Sequence, residues 1–480
     1  MVMAVTMAAM AASVDSLLHG TGKHSRCPLF SMNSTTAASC LRGDQNRADQ
    51  ICQDILFEGL PGPVRLVLPA GEMEEAFSQY AFWPHACVSP VGESGEPLLL
   101  LRLQGENEDF PANIEVDGDG PYVLEKDPTL DFGVRREESL AAGLCSLNIA
   151  MVTHLCRSRG LLCLHGALLG PASEDADAGL LLLGNNRAGK STLTVRLMAE
   201  GLVSHGDDML GLEPEGTMVA LGIAPRLRLP LPASARLADF VAEHCGTGDE
   251  RATFLAPNAA IMSPFGTRCR ARHIVVLERR EEKTSARLAI LSPGEVLEEL
   301  VFRFFLQEGT ALLALECATR LARTVPCYTL VYSDLDEACA LLAGLLAGKA
   351  ARDMEGRSMQ IAKVSAGIFG ARPESSNSSA EDAEDSQPQI SADQEYRQCA
   401  GAELVTRLGK IFLVNNDQNA LHVLNETGRI LWLMFAYPLS LAEASLLVRE
   451  AFPKVSGAQV EKDVRNHFAD LLDAGLIEPA

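Results

Sequence analysis

GLLLLGNNRAGKSTLTVRLMAEGLVSHGDD, residues 179–208, is the stretch on which the fold turns. Its apolar run Leu180–Leu183 reads as a strand, and Thr192–Ala199 reads as a helix. Between them GNNRAGKS, Gly184–Ser191, matches the pattern G-x-x-x-x-G-K-[ST] in full. Strand, glycine-rich loop and helix in that order make a phosphate cradle. Glycine lets the chain wrap closely round an anion with no side chain in the way. The loop N–H groups and the helix N-terminus then face that anion. The candidate nucleotide-binding residues are Gly184, Asn185, Asn186, Arg187, Ala188, Gly189, Lys190, Ser191 and Thr192. Lys190 is expected to reach the β- and γ-phosphates of ATP, and the Ser191 hydroxyl to ligate Mg²⁺.

Asp207 and Asp208 stand seventeen and eighteen residues beyond Lys190, at the end of the next predicted strand. In a parallel sheet that end opens on the ligand crevice. One carboxylate can hold the metal while the other accepts the proton of an attacking hydroxyl. Like charge beside it raises one of the two pKa values, which suits the second task. A solvated pair in a loop is the alternative. Upstream, His165 closes LLCLH on the strand before the phosphate-loop strand. It either approaches the same site or is a satisfied core or edge histidine. Arg226 and Arg228, in APRLRLPLP, either neutralise phosphate and read the acceptor or are exposed charges on a strand.

The remaining patterns indicate an α/β class. Residues 136–158 carry apolar positions at spacings of three and four, which predicts a helix. HIVVLERR at His273–Arg280 predicts a further core strand. SPGEVLEELVFRFFL predicts a helix capped by Ser292, with Glu295 three residues on. LDEACALLAGLLAG predicts an amphipathic one. Strands predicted at Val64–Ala70, Leu98–Gly105 and Tyr122–Asp127 point to a small mixed domain. Five units follow: an irregular segment at 1–55, the mixed domain at 56–135, the phosphate-loop core at 136–350, a helical tail and acidic linker at 351–395, and a compact module at 396–480. Residues 373–395 hold seven acidic side chains and neither a basic nor an aromatic one, so they cannot build a core and read as a disordered linker.

Composition narrows the function classes. With 63 acidic and 41 basic side chains the net charge is -22, which repels the phosphodiester backbone, so no nucleic-acid partner is expected. The 13 cysteines include no C-x-x-C pair and read as small buried hydrophobes in a reducing, cytoplasmic setting. Met1–Ala12 is apolar but lacks the basic start of a secretory signal. The longest apolar runs are broken well short of a membrane span, so no membrane partner is expected.

LHGALLG, LLLLGNNRAGKSTLTVRLMAEG and LVSHGDDMLGL together resemble the HPr kinase/phosphorylase superfamily, and more closely its divergent HPr-kinase-related branch found in peptide-modification gene clusters. PRLRLP, HIVVLER and VPCYTLVYSDLDE also fit, so the resemblance covers roughly residues 60–350. It implies an α/β P-loop kinase core of the HPr kinase type behind the small N-terminal mixed domain. It assigns Lys190 and Ser191 to ATP–Mg²⁺ and His165 to the neighbourhood of the phosphates. Asp207 and Asp208 match the pair that binds Mg²⁺ and serves as acid and base, with the division between them left open. Family members phosphorylate a serine hydroxyl on a protein or peptide. Two departures stand out. His205 occupies a position where an apolar strand residue is usual, and the second long glycine-rich signature of true HPr kinases is not recognisable. Neither phosphorolysis nor HPr itself as substrate is therefore carried over.

ALHVLNETGRILWLMF and VEKDVRNHFADLLDAGLI resemble the PqqD family, over about residues 400–480. Leu424, Asn425, Thr427, Gly428 and Ile430 carry its L-N-x-T-x-x-I-like core, with Gly428 in place of the more usual alanine. The resemblance implies a C-terminal winged-helix-like α+β domain that recognises precursor peptides of ribosomally made, modified natural products. A leader peptide there adds a strand to a small sheet. The expected activity is ATP-dependent phosphorylation of a Ser or Thr hydroxyl on a precursor peptide whose leader is caught by residues 396–480. The rival is a non-catalytic nucleotide-binding adaptor that presents the peptide to another enzyme; nucleotidyl transfer or simple ATP hydrolysis is a third reading. HPr kinases assemble as oligomers, which leaves a homo-oligomer through the kinase core open.

Overall fold

The computed structural model describes residues 50–88, 96–104, 116–126, 134–171, 178–185, 187–307, 309–348, 390–417 and 419–480. The expected irregular segment up to residue 49, most of the expected linker and loop residue Asn186 lie outside the described residues.

The strand Gln50–Phe57 crosses the expected boundary at residue 55 and pairs antiparallel with Val64–Pro69 in a seven-stranded N-terminal sheet. Val64–Pro69 alternates buried and half-buried residues, the signature of a sheet with one covered face. Helices Ala70–Gln79 and Leu140–Arg159 supply the cover, sharing a core with Leu66, Leu68 and Leu101. The second of these helices starts later than its periodicity suggests. Arg136 and Glu137 belong to the strand Val134–Glu137, and Ser139 caps the helix by accepting from the Ala142 N–H at 3.2 Å. This helix is long and apolar enough to span a membrane by length and composition, yet its apolar side chains from Leu140 to Cys156 lie buried in that core.

The central sheet has six strands in the order Leu202–Gly206, Ala167–Pro171, Gly179–Leu183, Ala271–Arg279, Cys327–Tyr332 and Arg287–Ile290. Gly179–Leu183, Ala271–Arg279 and Cys327–Tyr332 run parallel. The sheet is mixed rather than all parallel, because Ala167–Pro171 is antiparallel to both of its neighbours. Leu202–Gly206 thus runs in the same direction as Gly179–Leu183 with a reversed strand between them. Leu180 and Leu182 pack toward the helices Lys190–Met198, Ala235–Glu243 and Leu335–Leu346. Leu181 and Leu183 pack toward Pro293–Val301 and Ala311–Thr324. Burial on both faces is why the strand reads as an unbroken leucine run.

A five-stranded sheet lies beside it, in the order Arg268–Cys269, Met218–Val219, Leu210–Leu212, Leu162–Leu164 and Phe304–Phe305. LLCLHGALLG is therefore two strands in two sheets, with His165 and Gly166 at the crossing. Asp207, Asp208 and Met209 cross in the same way between Leu202–Gly206 and Leu210–Leu212.

The C-terminal module contains the three expected helices, Glu426–Met434, Leu441–Ala451 and Gly457–Asp473. Its two predicted strands, Lys410–Asn415 and Ala420–Leu424, join a third, Ala402–Arg407. A second small sheet begins at Glu395–Gln398, and Ile390 is buried in the module's core, so the last residues of the expected linker belong to the fold.

The three-stranded sheet is covered on both sides. Leu413, Ala420 and Leu424 face the module's own helices. Phe412, Val414, Leu421 and Val423 join one core with Ala311, Leu315 and Val296 of the phosphate-loop body. Polar contacts rim this seam: Arg407 Nε donates to Glu316 at 3.0 Å, Lys410 pairs with Glu298 at 2.8 Å, and the Leu312 N–H donates to Asn416 Oδ1 at 3.0 Å. A cleft of about 490 Å³ opens alongside, between Val301–Leu306 on one wall and Asn419–His422 with Leu472–Gly475 on the other.

Candidate functional site

The strand Gly179–Leu183 ends directly in the phosphate loop, and the helix Lys190–Met198 starts directly after it. Gly189 is the N-cap with φ 92, a left-handed conformation that favours glycine. A Cβ there would also collide with the Tyr332 hydroxyl, which donates to the Ala188 carbonyl at 2.8 Å and fastens the loop to Cys327–Tyr332, the next strand but one in the sheet. Lys190 is buried and folds back on the loop, with Nζ donating to the carbonyls of Gly184 at 2.9 Å and Asn185 at 3.4 Å. Burial lowers its pKa; Asp208 and Asp207 oppose that, while Arg303 and Arg228 add to it. The ammonium is thus desolvated, surrounded by charges of both signs and hydrogen-bonded to neutral carbonyls.

Both aspartates sit at the C-terminal end of Leu202–Gly206, the end at which Gly179–Leu183 delivers the loop. They differ sharply. Asp207 is 4% exposed, and neither of its carboxylate oxygens completes a hydrogen bond of full geometry among the described residues. Burial first and the Asp208 charge second push its pKa up to about 7. The Ser191 hydroxyl approaches closely enough to favour the charged form, as does Lys190, without either offsetting burial. Asp208 adopts a left-handed φ of 69, and its side chain is 59% exposed. That conformation is uncommon outside glycine and tolerated by aspartate; here it turns adjacent carboxylates to different surroundings. Asp208 Oδ1 meets His165 Nε2 at 2.9 Å. Desolvation acts to raise the Asp208 pKa, but His165, Lys190 and Arg226 outweigh it and hold the carboxyl below its usual range.

The structure brings the sequence-predicted residues together. His165 lies at the crossing between two sheets with its ring on Asp208. Arg226, on the strand Arg226–Arg228, acts electrostatically on Asp208, and Arg228 acts on Lys190. His205 points elsewhere: its Nδ1 meets the Ser263 hydroxyl at 2.8 Å, and its ring lies against Gly170. The unusual strand histidine is thus a packed structural residue outside the site.

One residue escaped sequence reasoning. Arg303 follows the helix Pro293–Val301, and its guanidinium donates to the loop residue Asn185 and, at 3.1 Å, to Glu299. Its carbonyl accepts the His165 N–H at 2.7 Å. No local motif marks it, because Asn185 and His165, the partners that bring it to the site, are more than a hundred residues away.

Among the described residues no group of three or more His, Cys, Asp or Glu side chains could hold a metal by itself. Mg²⁺ is bound differently, through one or two carboxylates and hydroxyls plus substrate phosphate oxygens and water. Asp207 fits that pattern: a buried carboxylate with two unpartnered oxygens beside the Ser191 hydroxyl is costly unless a cation completes it.

No curated protein matches the chain in sequence. Among solved structures the chain is similar to the Hpr(Ser) kinase/phosphatase from Coxiella burnetii, at 14% identity and a TM-score of 0.21, over 40% of this chain and 99% of that one. Residues 410–477 match the family described as Coenzyme PQQ synthesis protein D (PqqD), so the α/β phosphate-loop body ends in a PqqD-like domain.

Proposed function

We propose that this chain is an ATP-dependent kinase that phosphorylates a Ser or Thr hydroxyl of a ribosomally made precursor peptide, held through its leader by the C-terminal domain. One observation carries the reading. A phosphate-loop sequence between strand and helix, a buried carboxylate without a hydrogen-bond partner among the described residues, and the half-buried His165 imidazole paired with the exposed Asp208 carboxylate converge at one end of one sheet.

The backbone of Gly184–Thr192 cradles the triphosphate, and Lys190 exchanges its loop carbonyls for phosphate oxygens. Asp207 and Ser191 would hold Mg²⁺, which would supply positive charge to offset that of the phosphates. Asp208 is exposed and can meet the acceptor hydroxyl, which makes it the base; the raised pKa expected of a base falls instead on buried Asp207, the residue assigned to the metal. His165 orients its carboxylate and shares its charge. In the transfer step the bond between the γ-phosphorus and the bridging oxygen breaks and the bond from the acceptor oxygen to phosphorus forms. The acceptor proton passes to Asp208, and ADP leaves with the electron pair of the broken bond.

The PqqD-like match supports a peptide substrate. Ala420–Leu424 is the terminal strand of its sheet and borders the 490 Å³ cleft, so a leader strand can pair with its outer edge. The cytoplasm, where ATP and newly made peptide coexist, is part of the same proposal.

The test is mass spectrometry of short precursor peptides encoded beside this gene, incubated with the full chain and Mg-ATP. The expected product carries one phosphoryl group on Ser or Thr, absent with Lys190→Ala. ADP release without peptide modification would make the chain an ATPase, an AMP adduct would make it a nucleotidyltransferase, and nucleotide binding without turnover would make it an adaptor. Each of those results overturns the kinase reading.

A further inference from the structure

We infer that Arg303 is a catalytic residue: its guanidinium contacts the terminal phosphate of a bound nucleoside triphosphate and stabilises the charge on the phosphoryl group in transfer. This rests on the reading of Gly184–Ser191 as a nucleotide site and adds to it a cation that no loop motif supplies.

The main chain at Arg303 is fixed from two sides. The helix Pro293–Val301 ends just before it, and the two-residue strand Phe304–Phe305 pairs Phe304 with Leu164 and Phe305 with Cys163. The Arg303 carbonyl continues that pairing by accepting from His165. A residue anchored beside His165 can send its side chain only a short way, and this one goes to the phosphate loop, where Nη2 meets the side-chain carbonyl of Asn185.

Charge argues that the contact to Asn185 is a resting position. The Arg303 side chain is only 10% exposed, and its buried Nε has no partner among the described residues. Its ion-pair partner Glu299 has its own pKa raised by burial, so it is a reluctant anion. Lys190 shares the loop residue Asn185, with Nζ donating to the Asn185 carbonyl at 3.4 Å while Arg303 holds the Asn185 side chain. Two desolvated cations therefore share one crevice, one held by neutral carbonyls and the other with an unused donor. That arrangement is unfavourable in an empty site and favourable once a phosphate lies between them. A planar guanidinium has further N–H groups to give after Asn185 is served. Positive charge at the group in flight is also what phosphoryl transfer uses most.

The bland reading is a clamp: Arg303 merely holds Asn185 in place. The two readings separate by which phosphate they sense. A clamp shapes the loop and so affects every nucleotide. A contact to the terminal phosphate affects only the triphosphate.

Isothermal titration of the full chain with Mg-ADP and with Mg-AMP-PNP decides between them. Arg303→Ala and Arg303→Gln (the latter keeps an amide donor for Asn185) should each weaken AMP-PNP about ten- to a hundred-fold, the range of a charged hydrogen bond. ADP affinity should change less than about three-fold on the same scale. Arg303→Lys should recover part of the loss. Glu299→Gln, which removes the ion pair and leaves Arg303 in place, should preserve the preference between the two nucleotides. Equal weakening of ADP and AMP-PNP, or no change in either, overturns the assignment of Arg303 alone. If the unaltered chain binds neither nucleotide, the phosphate-site reading fails, and Arg303 with it. Should the alanine variant not fold, the glutamine variant carries the same comparison.

Discussion

Asp207→Asn keeps the shape of a side chain and removes its charge, and in the nucleotide-free chain we predict that it stabilises the fold, but only toward neutral and alkaline pH. Burial and the Asp208 charge raise the Asp207 pKa from 3.8 to about 7. The folded value lies above the unfolded one, so the folded state holds its proton more tightly. The stability contributed by that proton is fully present below about pH 4 and is lost as pH rises through about 7. A rise of roughly three pH units, at about 1.4 kcal/mol each, sets an upper bound of about 4 kcal/mol. Asparagine does not titrate and avoids this loss. With an unfolding entropy of about 2 cal/mol/K per residue, a chain of 480 residues has a total on the order of 1 kcal/mol/K. The Asn variant should therefore melt about 4 °C above the unaltered chain at pH 8 and within about 1 °C of it at pH 4. Scanning calorimetry in EDTA without nucleotide, repeated across that range, measures the difference. Saturating Mg-ATP should reverse the order at pH 8, because the variant lacks the carboxylate that the ligand uses. A melting difference that ignores pH, or an Asn variant that is the less stable at pH 8, would refute the reasoning.

The other predictions concern chemistry and packing. Lys190→Ala should lower turnover at least about 100-fold, as expected for loss of a transition-state cation, while circular dichroism stays unchanged; near-normal turnover refutes the phosphate assignment. Asp208→Asn should cut the single-turnover rate about 100- to 10,000-fold and leave Mg-nucleotide affinity intact. Asp207→Asn should instead weaken that affinity, and the opposite pattern would exchange the two roles. Phe412→Ala empties a fully buried position in the seam and should cost about 3–5 kcal/mol. Calorimetry should show one lowered transition for both modules, whereas a separate early melt of the C-terminal module would show that the seam does not couple them.

The phosphate loop was legible because its chemistry is local: strand, glycines, lysine and helix follow one another in the chain. Ser292 likewise announces the helix it caps, since a cap is decided within one turn. The position of His165 was harder. Whether it meets Asp208 depends on two chain segments changing sheets at neighbouring points, and periodicity carries no trace of that. Arg303 was illegible for the same reason, as its sequence neighbours Phe302 and Phe304 say only that the region is apolar. The seam between the modules had a signal that went unused. KIFLV is apolar without alternation, and such a run indicates a strand covered on both faces. Read so, it foretells that residues 396–480 need a second surface to cover them, and that a flexible linker is not what sets their position.

That seam bears on how an enzyme of the proposed kind would choose its target. A recognition domain on a loose string samples many distances, and its substrate is modified wherever a hydroxyl happens to arrive. Here Phe412, Val414, Leu421 and Val423 are locked into the same core as Leu315. For such an enzyme the path from the outer edge of Ala420–Leu424 to Asp208 would have a constant length, and the domain would work as a ruler. Regiospecificity would come from counting residues along the peptide. Shortening a precursor between leader and acceptor should abolish modification abruptly once the remaining chain, at about 3.3–3.6 Å per extended residue, no longer spans the gap.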